Sequence, residues 1–141
     1  MTYATPTKPP KIGEVYNMMF SGSGSEQNGW RPGLVFQNNA GNLHSPNIIA
    51  LPLTSSLKHM HLPTHVLLRS SDTGLYRDSI VLCENPERVS KERIGKYITT
   101  LSAEYMQRIA AASLLATSAI SFLDIETLIA LWAQATRLNT A

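Results

Sequence analysis

The chain has 141 residues, of which 43% are hydrophobic, and its 12 Lys and Arg against 10 Asp and Glu give a net charge of +2. This length is enough for one domain with its own core, and so small a positive excess excludes a protein that coats nucleic acid through bulk charge. The single cysteine, Cys83, excludes an intramolecular disulfide and a multi-cysteine zinc site, which fits a reducing cytoplasm. We expect Cys83 to fill a strand interior.

The first part of the chain predicts a lead-in, a strand and a loop. Residues 1–11 contain Pro6, Pro9 and Pro10 among Thr and Lys residues and lack the apolar core of a signal peptide, which predicts a flexible lead-in. Residues 12–20 alternate partially and predict a first strand. The following Gly/Ser-rich residues 21–25 predict a mobile loop.

An arginine before a proline opens the second predicted strand, residues 33–37. Pro32 disfavours the helical region for Arg31, so its backbone is held extended. A guanidinium offers a planar fork of donors and stays charged, which suits a phosphate or carboxylate ligand. From these residues alone, a surface arginine beside an edge-protecting proline is an open alternative.

Further elements follow in short succession. Residues 38–42 predict a turn of residues that tolerate positive φ, and residues 47–53 predict an apolar strand that delivers Thr54 and Ser55 at its end. Their hydroxyls alternatively cap a short helical turn. Residues 65–68 and 78–83 predict two more strands. Five short strands indicate a small barrel or a strongly twisted sheet.

The C-terminal part predicts helices. Residues 89–97 carry charges of both signs and predict a solvated face. Ser102 is an expected N-cap, with Glu104 in the first turn, of a helix whose apolar residues are Met106, Ile109, Leu114, Ile120 and Phe122. The apolar segment over residues 109–123 is shorter than the roughly 20 residues that span a bilayer, so no membrane segment is expected.

Asp124 is the expected cap of a second helix. Its apolar residues form one stripe: Leu128, Leu131, Trp132, Ala135 and Leu138. A Leu or Trp that stays in water forgoes roughly 1.5 to 3 kcal/mol of stabilisation, so we expect this stripe to be buried.

Three histidines, His59, His61 and His65, have a spacing that could ligate a metal. Pro63 interrupts any helix between them, and no cysteine or acidic cluster lies nearby. We therefore expect no metal site.

Several motifs, in this order and spacing, resemble one family. The similarity extends from about residue 12 to residue 122 and includes Gly24-Ser25-Glu26-Gln27-x-Gly29-x-Arg31-Pro32, Leu34-Val35-x-Gln37-Asn38, Gly41-Asn42, Ser45-Pro46, a strand ending in Thr54, Leu62-Pro63-Thr64-His65-Val66 and Arg77-Asp78-Ser79 leading to Glu84. The chain resembles the MazF/PemK family of toxin endoribonucleases. The resemblance implies a mainly β domain, an SH3-like small β-barrel with C-terminal helices, over residues 12–122. Residues 123–141 then form an additional C-terminal helix.

The resemblance also implies an activity and its residues. Arg31 and Thr54 are expected to form the catalytic pair of a metal-independent, cofactor-free endoribonuclease whose products carry a 2′,3′-cyclic phosphate and a 5′-OH. The RNA-contacting positions near the scissile bond match Ser25, Glu26 and Gln27. Glu84 matches a position that reads a base edge. Asn85 stands where relatives often have Gln, so the base preference is expected to differ.

The partners implied by the resemblance are single-stranded RNA, a cognate antitoxin and a second copy of the chain, in the cytoplasm. A CcdB-like toxin that poisons gyrase and a catalytically lapsed RNA-binding module are the alternatives. Trp30 is interpreted equally as a platform for a base or as a dimer contact. For the additional helix, packing on the dimer and occupation of the antitoxin groove are both hypotheses.

Overall fold

A computed structural model describes residues 8–21 and 28–140. Residues 22–25 of the predicted loop and most of the predicted lead-in therefore lie outside the described residues, and Ser21 is the last residue of β1. Within the described part the elements are β1 (Glu14–Ser21), β2 (Asn28–Val35), α1 (Asn39–His44), β3 (Asn47–Thr54), β4 (His65–Leu68), α2 (Ser70–Thr73), β5 (Ser79–Leu82), β6 (Glu87–Ser90), β7 (Ile94–Thr100), α3 (Ala103–Thr117) and α4 (Ile125–Asn139). Short 3₁₀ turns cover Lys91–Arg93 and Ala119–Phe122.

The strands form one antiparallel sheet in the order β4-β5-β3-β2-β1-β7, and β6 also pairs with β3. β2 pairs with one edge of β3. Both β5 and β6 pair with the other edge, at different positions along the strand. The predicted class, mainly β with C-terminal helices, is confirmed. Among the described residues the outer strands β4 and β7 do not pair, so the sheet is open, in an arrangement compatible with a barrel-like domain.

The two faces of the sheet bury two apolar clusters because neighbouring strand residues point to opposite sides. One cluster packs under α3 and includes Val15, Leu34, Leu51, Leu53, Val81, Cys83 and Ile109. The other consists of Tyr16, Met18, Phe20, Val35, Ile48, Ala50, Val89 and Ile94. Cys83 is buried as predicted, but it follows the last residue of β5, Leu82, and is not inside the strand.

The second strand begins five residues earlier than the sequence predicted. Its ladder with β1 extends from Ser21 opposite Asn28 to Val15 opposite Leu34. Arg31 therefore lies inside β2, not at its mouth, because cross-strand pairing extends through Pro32.

The predicted turn over residues 38–42 is wrong, since α1 begins there. The Asn38 side chain caps the helix by accepting a hydrogen bond from the Gly41 backbone N–H at 2.8 Å. The amide of Asn42, which is fully buried, donates to the Gln37 carbonyl at 2.8 Å. These amide side chains form hydrogen bonds with backbone groups at the start of the helix. No residue of α1 has a positive φ.

The solvated segment predicted over residues 89–97 is also wrong. It contributes to two strands, β6 against β3 and β7 against β1. Val89 and Ile94 are buried in the second cluster. The sequence did not predict these strands because charged residues lie beside the buried apolar ones. Only every second residue of a half-buried strand has to be apolar.

Both predicted helix caps are confirmed. Ser102 accepts from the Tyr105 N–H at 3.3 Å, and Asp124 accepts from the Thr127 N–H at 2.7 Å. The first helix is shorter than predicted, because Ser118 has a left-handed backbone with φ of 56° that ends α3 before Ile120. None of the helices in the described part has the length and hydrophobicity of a membrane span.

The apolar stripe of α4 is not buried in this chain, contrary to expectation. Leu131, Trp132 and Leu138 of the stripe are exposed, Trp132 to 76%, and Leu128 is half-buried. Ile125 and Ile129, which precede Trp132 by seven and three residues, are exposed as well. The helix is tied to the domain at its C-terminal end, where Asn39 donates to the side chain and backbone of Asn139 at 3.0 and 3.3 Å.

Ile109 on α3 provides a test of the first cluster. It is fully buried, whereas Leu115 on the same helix is exposed. Ile109→Ala is expected to lower the free energy of unfolding by about 2 to 5 kcal/mol because it leaves a cavity. Leu115→Ala is the matched control and should change it by less than about 0.5 kcal/mol. Urea denaturation measures both, and equal losses would contradict the described packing.

Candidate active site

A groove of about 340 Å³ opens where β2, the end of β3 and the segment before β5 meet. Each element contributes both apolar and polar side chains. The lining residues are Trp30, Arg31, Pro32, Leu53, Thr54, Ser55, Leu75, Tyr76, Arg77 and Ser79. Among the predicted site residues, the groove brings Arg31 and Thr54 together.

The pairing of β2 with β3 sets the relative position of these two residues. Gly33 lies opposite Pro52 at the outer end of the β2–β3 ladder. Arg31 and Thr54 each lie two residues beyond this pair on their own strand, and both line the groove. The Thr54 hydroxyl accepts a hydrogen bond from the Ser56 N–H at 3.1 Å. No helical turn begins at Ser56, so the capping alternative is not realised. A hydroxyl that accepts one bond retains its own proton for donation to an anion.

The sequence interpretation did not assign a role to the second cation of the groove, Arg77. Arg77 and Tyr76 are exposed on the segment between α2 and β5, and Tyr76 is 95% exposed. Asp78 anchors this segment by accepting from the Ser70 N–H at 2.7 Å. That backbone hydrogen bond, with a smaller contribution from Arg69, lowers the pKa of Asp78 below its usual value. The Arg-Asp-Ser motif at residues 77–79 was the available signal.

The other predicted RNA contacts fall into two groups. Ser25, Glu26 and Gln27 lie outside the described residues. Glu84 and Asn85 follow the far end of β5 and do not line the groove. The Glu84 carboxylate accepts from the Thr64 hydroxyl at 2.8 Å and pairs with His65 Nε2 at 2.7 Å.

The histidines do not assemble a metal site. His65 uses its other ring nitrogen, Nδ1, on the His59 carbonyl at 3.0 Å, and the rings of His59 and His61 are 6.4 Å apart. In the part of the chain that the structure describes, no group of three His, Cys, Asp or Glu side chains is arranged to hold a metal ion.

The comparison with known families agrees with this geometry. The family model described as "PemK-like, MazF-like toxin of type II toxin-antitoxin system" matches residues 11–115. The chain belongs to this family. The matched segment contains every lining residue of the groove and ends before α4.

Individual relatives in the MazF/PemK family are similar over most of their length. Endoribonuclease EndoA of Bacillus subtilis (strain 168) is 38% identical over 113 residues, which are 79% of this chain and 97% of the relative. Endoribonuclease MazF of Staphylococcus saprophyticus is 36% identical over 98 residues, 69% of this chain and 82% of the relative. A mycobacterial endoribonuclease solved in complex with its cognate antitoxin has a TM-score of 0.65 and 29% identity, covering 78% of this chain and 96% of that one.

The sequence interpretation also missed Glu87, a carboxylate close to the groove of this family member. Glu87 Oε2 is buried without a hydrogen-bond partner, and so is Arg31 Nε. Burial raises the pKa of Glu87, and the positive charge of Arg31 acts in the opposite direction. No motif signals this residue, because its position follows only from the unpredicted strand β6.

Cys83 is excluded as a nucleophile by its environment. Burial is the main reason that the pKa of its thiol rises to about 11, and the neighbouring Glu84 charge acts in the same direction. The reactive thiolate is therefore scarce at neutral pH.

Alkylation of Cys83 tests this environment. At pH 8 we expect iodoacetamide to modify the folded protein about 100-fold or more slowly than the urea-unfolded protein, because an exposed cysteine has a pKa near 8.5. Mass spectrometry of the quenched time course measures both rates. Equal rates in the two states would contradict the buried, protonated thiol.

Proposed function

We propose that this chain is the toxin of a type II toxin-antitoxin pair and a sequence-specific endoribonuclease that cleaves single-stranded RNA without a metal ion or other cofactor. The observation that carries the proposal is that Arg31 and Thr54 line the same groove, in a chain 38% identical to a named endoribonuclease. The proposed site of action is the cytoplasm, where mRNA is translated.

The chemistry of RNA cleavage explains why these two residue types suit the groove. Attack by the ribose 2′-OH on the adjacent phosphate creates a phosphorane with additional negative charge, and the leaving 5′ oxygen needs a proton. In our proposal the Thr54 hydroxyl donates to a phosphate oxygen. The Arg31 guanidinium stabilises the developing charge and takes part in proton transfer. The products then carry a 2′,3′-cyclic phosphate and a 5′-OH.

The groove also offers contacts for the RNA on either side of the scissile bond. Arg77 supplies a second cation for phosphate, and the exposed ring of Tyr76 supplies a surface on which a base can stack. Trp30 lines the same groove, which supports the stacking role for it and does not exclude the dimer contact.

Two further groups of residues complete the proposed RNA interface. Ser25, Glu26 and Gln27 immediately precede β2 in the chain, and we propose that they contact RNA near the scissile bond. We propose that Glu84 and Asn85 read a base. His65 and Thr64 support this role for Glu84, because both hold its carboxylate in a defined orientation.

The proposed assembly is a homodimer that a cognate antitoxin inhibits by covering the RNA-binding surface. We further propose that residues 12–122 form the toxin domain and that residues 123–141 add a helix to it. The exposed face of α4, with Ile125, Ile129 and Trp132, then contacts either the second copy or the antitoxin.

Cleavage of a long defined RNA in the presence of EDTA tests the activity and the role of Arg31. The wild-type chain should cut at one short recurring motif, located by mapping the 5′ ends of the fragments. Arg31→Ala should lower the cleavage rate by about 10²-fold or more, because one transition-state donor is lost. Arg88→Ala removes an exposed arginine of β6 and should cleave like the wild type.

Two results would contradict this proposal. Failure of the wild-type chain to cut several RNAs would remove the nuclease activity and favour a non-enzymatic toxin. An Arg31→Ala variant as active as Arg88→Ala would remove Arg31 from the mechanism.

Tyr76 provides a separate test of RNA binding. Tyr76→Ala should raise the KM for RNA about tenfold, because stacking on one base is worth about 1 to 3 kcal/mol. Tyr76→Phe keeps the ring and should retain the KM. Phe122→Ala is the control, since it removes another exposed aromatic side chain that does not line the groove. A KM raised equally by Tyr76→Ala and Phe122→Ala would contradict the stacking role.

A further inference from the structure

Glu87 shares a face of the sheet with Arg31, although the two residues lie on different strands. Glu87 pairs with Ala50 on one edge of β3, and Val35 pairs with Ala50 on the other edge. Val89, two residues after Glu87, is in the same buried cluster as Val35. Arg31 precedes Val35 by four residues. The alternation of side chains along each strand therefore directs Arg31 and Glu87 to one side.

Both side chains hide a polar atom without a partner. Arg31 Nε and Glu87 Oε2 are two of the three buried side-chain nitrogen or oxygen atoms that lack a hydrogen bond in the described residues. No ion pair within 4.0 Å joins the two side chains. A buried charge without a compensating contact is costly, and an unsatisfied group at a site therefore calls for a functional explanation.

We propose that Glu87 is a positioning residue for Arg31: its carboxylate balances the guanidinium charge in the free protein and competes for it with the phosphate of bound RNA. This inference rests on the proposed function for the identity of the anion. The coupling between the two side chains rests on the geometry alone. Glu87 itself does not line the groove, so it acts through Arg31 and does not touch the reacting atoms.

The surroundings make Arg31 the main charge that Glu87 experiences. The paired strand β3 has no titratable side chain, and Arg88 on β6 alternates to the opposite face. From β1, Tyr16 lies in the same cluster, and its hydroxyl is committed to Glu14 at 3.0 Å. Among described residues, Arg31 is the one charged group that influences the pKa of Glu87.

This arrangement predicts a direction for the pH dependence of anion binding. Burial raises the pKa of Glu87, so the carboxyl begins to take up a proton above the pH range of an ordinary carboxyl. The neutral form no longer repels an anion at Arg31. Anion binding should therefore strengthen as the pH falls through the pKa of Glu87 and weaken as the pH rises above it. An anion bound at Arg31 should in turn promote protonation of Glu87.

Sulfate is a suitable probe because it stays divalent between pH 5 and pH 8, and the Nε–H resonance of Arg31 in ¹⁵N NMR spectra reports its binding. In the wild type, affinity should increase towards pH 5. Glu87→Gln keeps the side-chain size and should bind sulfate about tenfold more tightly at pH 8, the effect of one pKa unit of coupling, with little pH dependence. Glu92→Gln changes the net charge equally on an exposed residue and is the matched control. Glu87→Asp should restore the pH dependence in part.

The outcomes separate this inference from the proposed function. Glu87→Gln and wild type with the same sulfate affinity at every pH, or a gain shared by Glu92→Gln, would overturn the role of Glu87. RNA cleavage by the same preparations is the independent readout. If the wild type binds sulfate with this pH dependence but cuts no RNA, the proposed nuclease activity is contradicted and the role of Glu87 is retained.

Discussion

The site depends on the way β3 is shared by its neighbours. One edge of this strand pairs with β2, and this pairing ends two residues before Arg31 and Thr54, which both line the groove. The other edge pairs with β5 near Thr54 and with β6 near Ala50. Because a slip of one residue would move every side chain of a strand to the other face, the two buried clusters that fix this register also fix the geometry of the groove.

The same register explains how a chain of low net charge concentrates positive charge at one place. Arg31 on β2 and Arg77 on the segment before β5 are distant in sequence, and both line the groove. The Asp78 carboxylate anchors the segment of Arg77 through the Ser70 N–H, and Glu87 lies on the Arg31 face of the sheet. In this account each of the two cations has an acidic side chain nearby. Asp78 anchors the segment of Arg77, and Glu87 balances the charge of Arg31.

Much of the fold could be predicted from local signals. Ser102 and Asp124 were recognisable because a capping side chain acts within three residues of its own helix, and the apolar run of β3 was recognisable from its length. Strand β6 was not, because Glu87 and Arg88 dominate its composition and its only fully buried apolar residue is Val89. The extent of β2 depends on its pairing with β1, which no local pattern contains.

The site was also predictable only in part, because some of its residues belong to local motifs and others are brought together only by strand pairing. Arg31 and Thr54 belong to motifs that identify the family, and the structure places them together. Arg77 was visible in a motif and had no assigned role, whereas Glu87 requires the tertiary arrangement of β6, β3 and β2. The apolar stripe of α4 shows the opposite limit. Its periodicity predicts that the stripe is buried, but in the described part of the chain it is largely exposed.

The most direct test of the account is the chemistry of the cut ends. A short RNA that contains the mapped cleavage motif is compared, by mass spectrometry of the products, with the same RNA carrying a single 2′-deoxy substitution at the nucleotide before the cut. Attack by the 2′-OH predicts a 2′,3′-cyclic phosphate and a 5′-OH from the first RNA and no cleavage of the second. Fragments with a 5′-phosphate and a 3′-OH, or cleavage of the substituted RNA, would contradict the account.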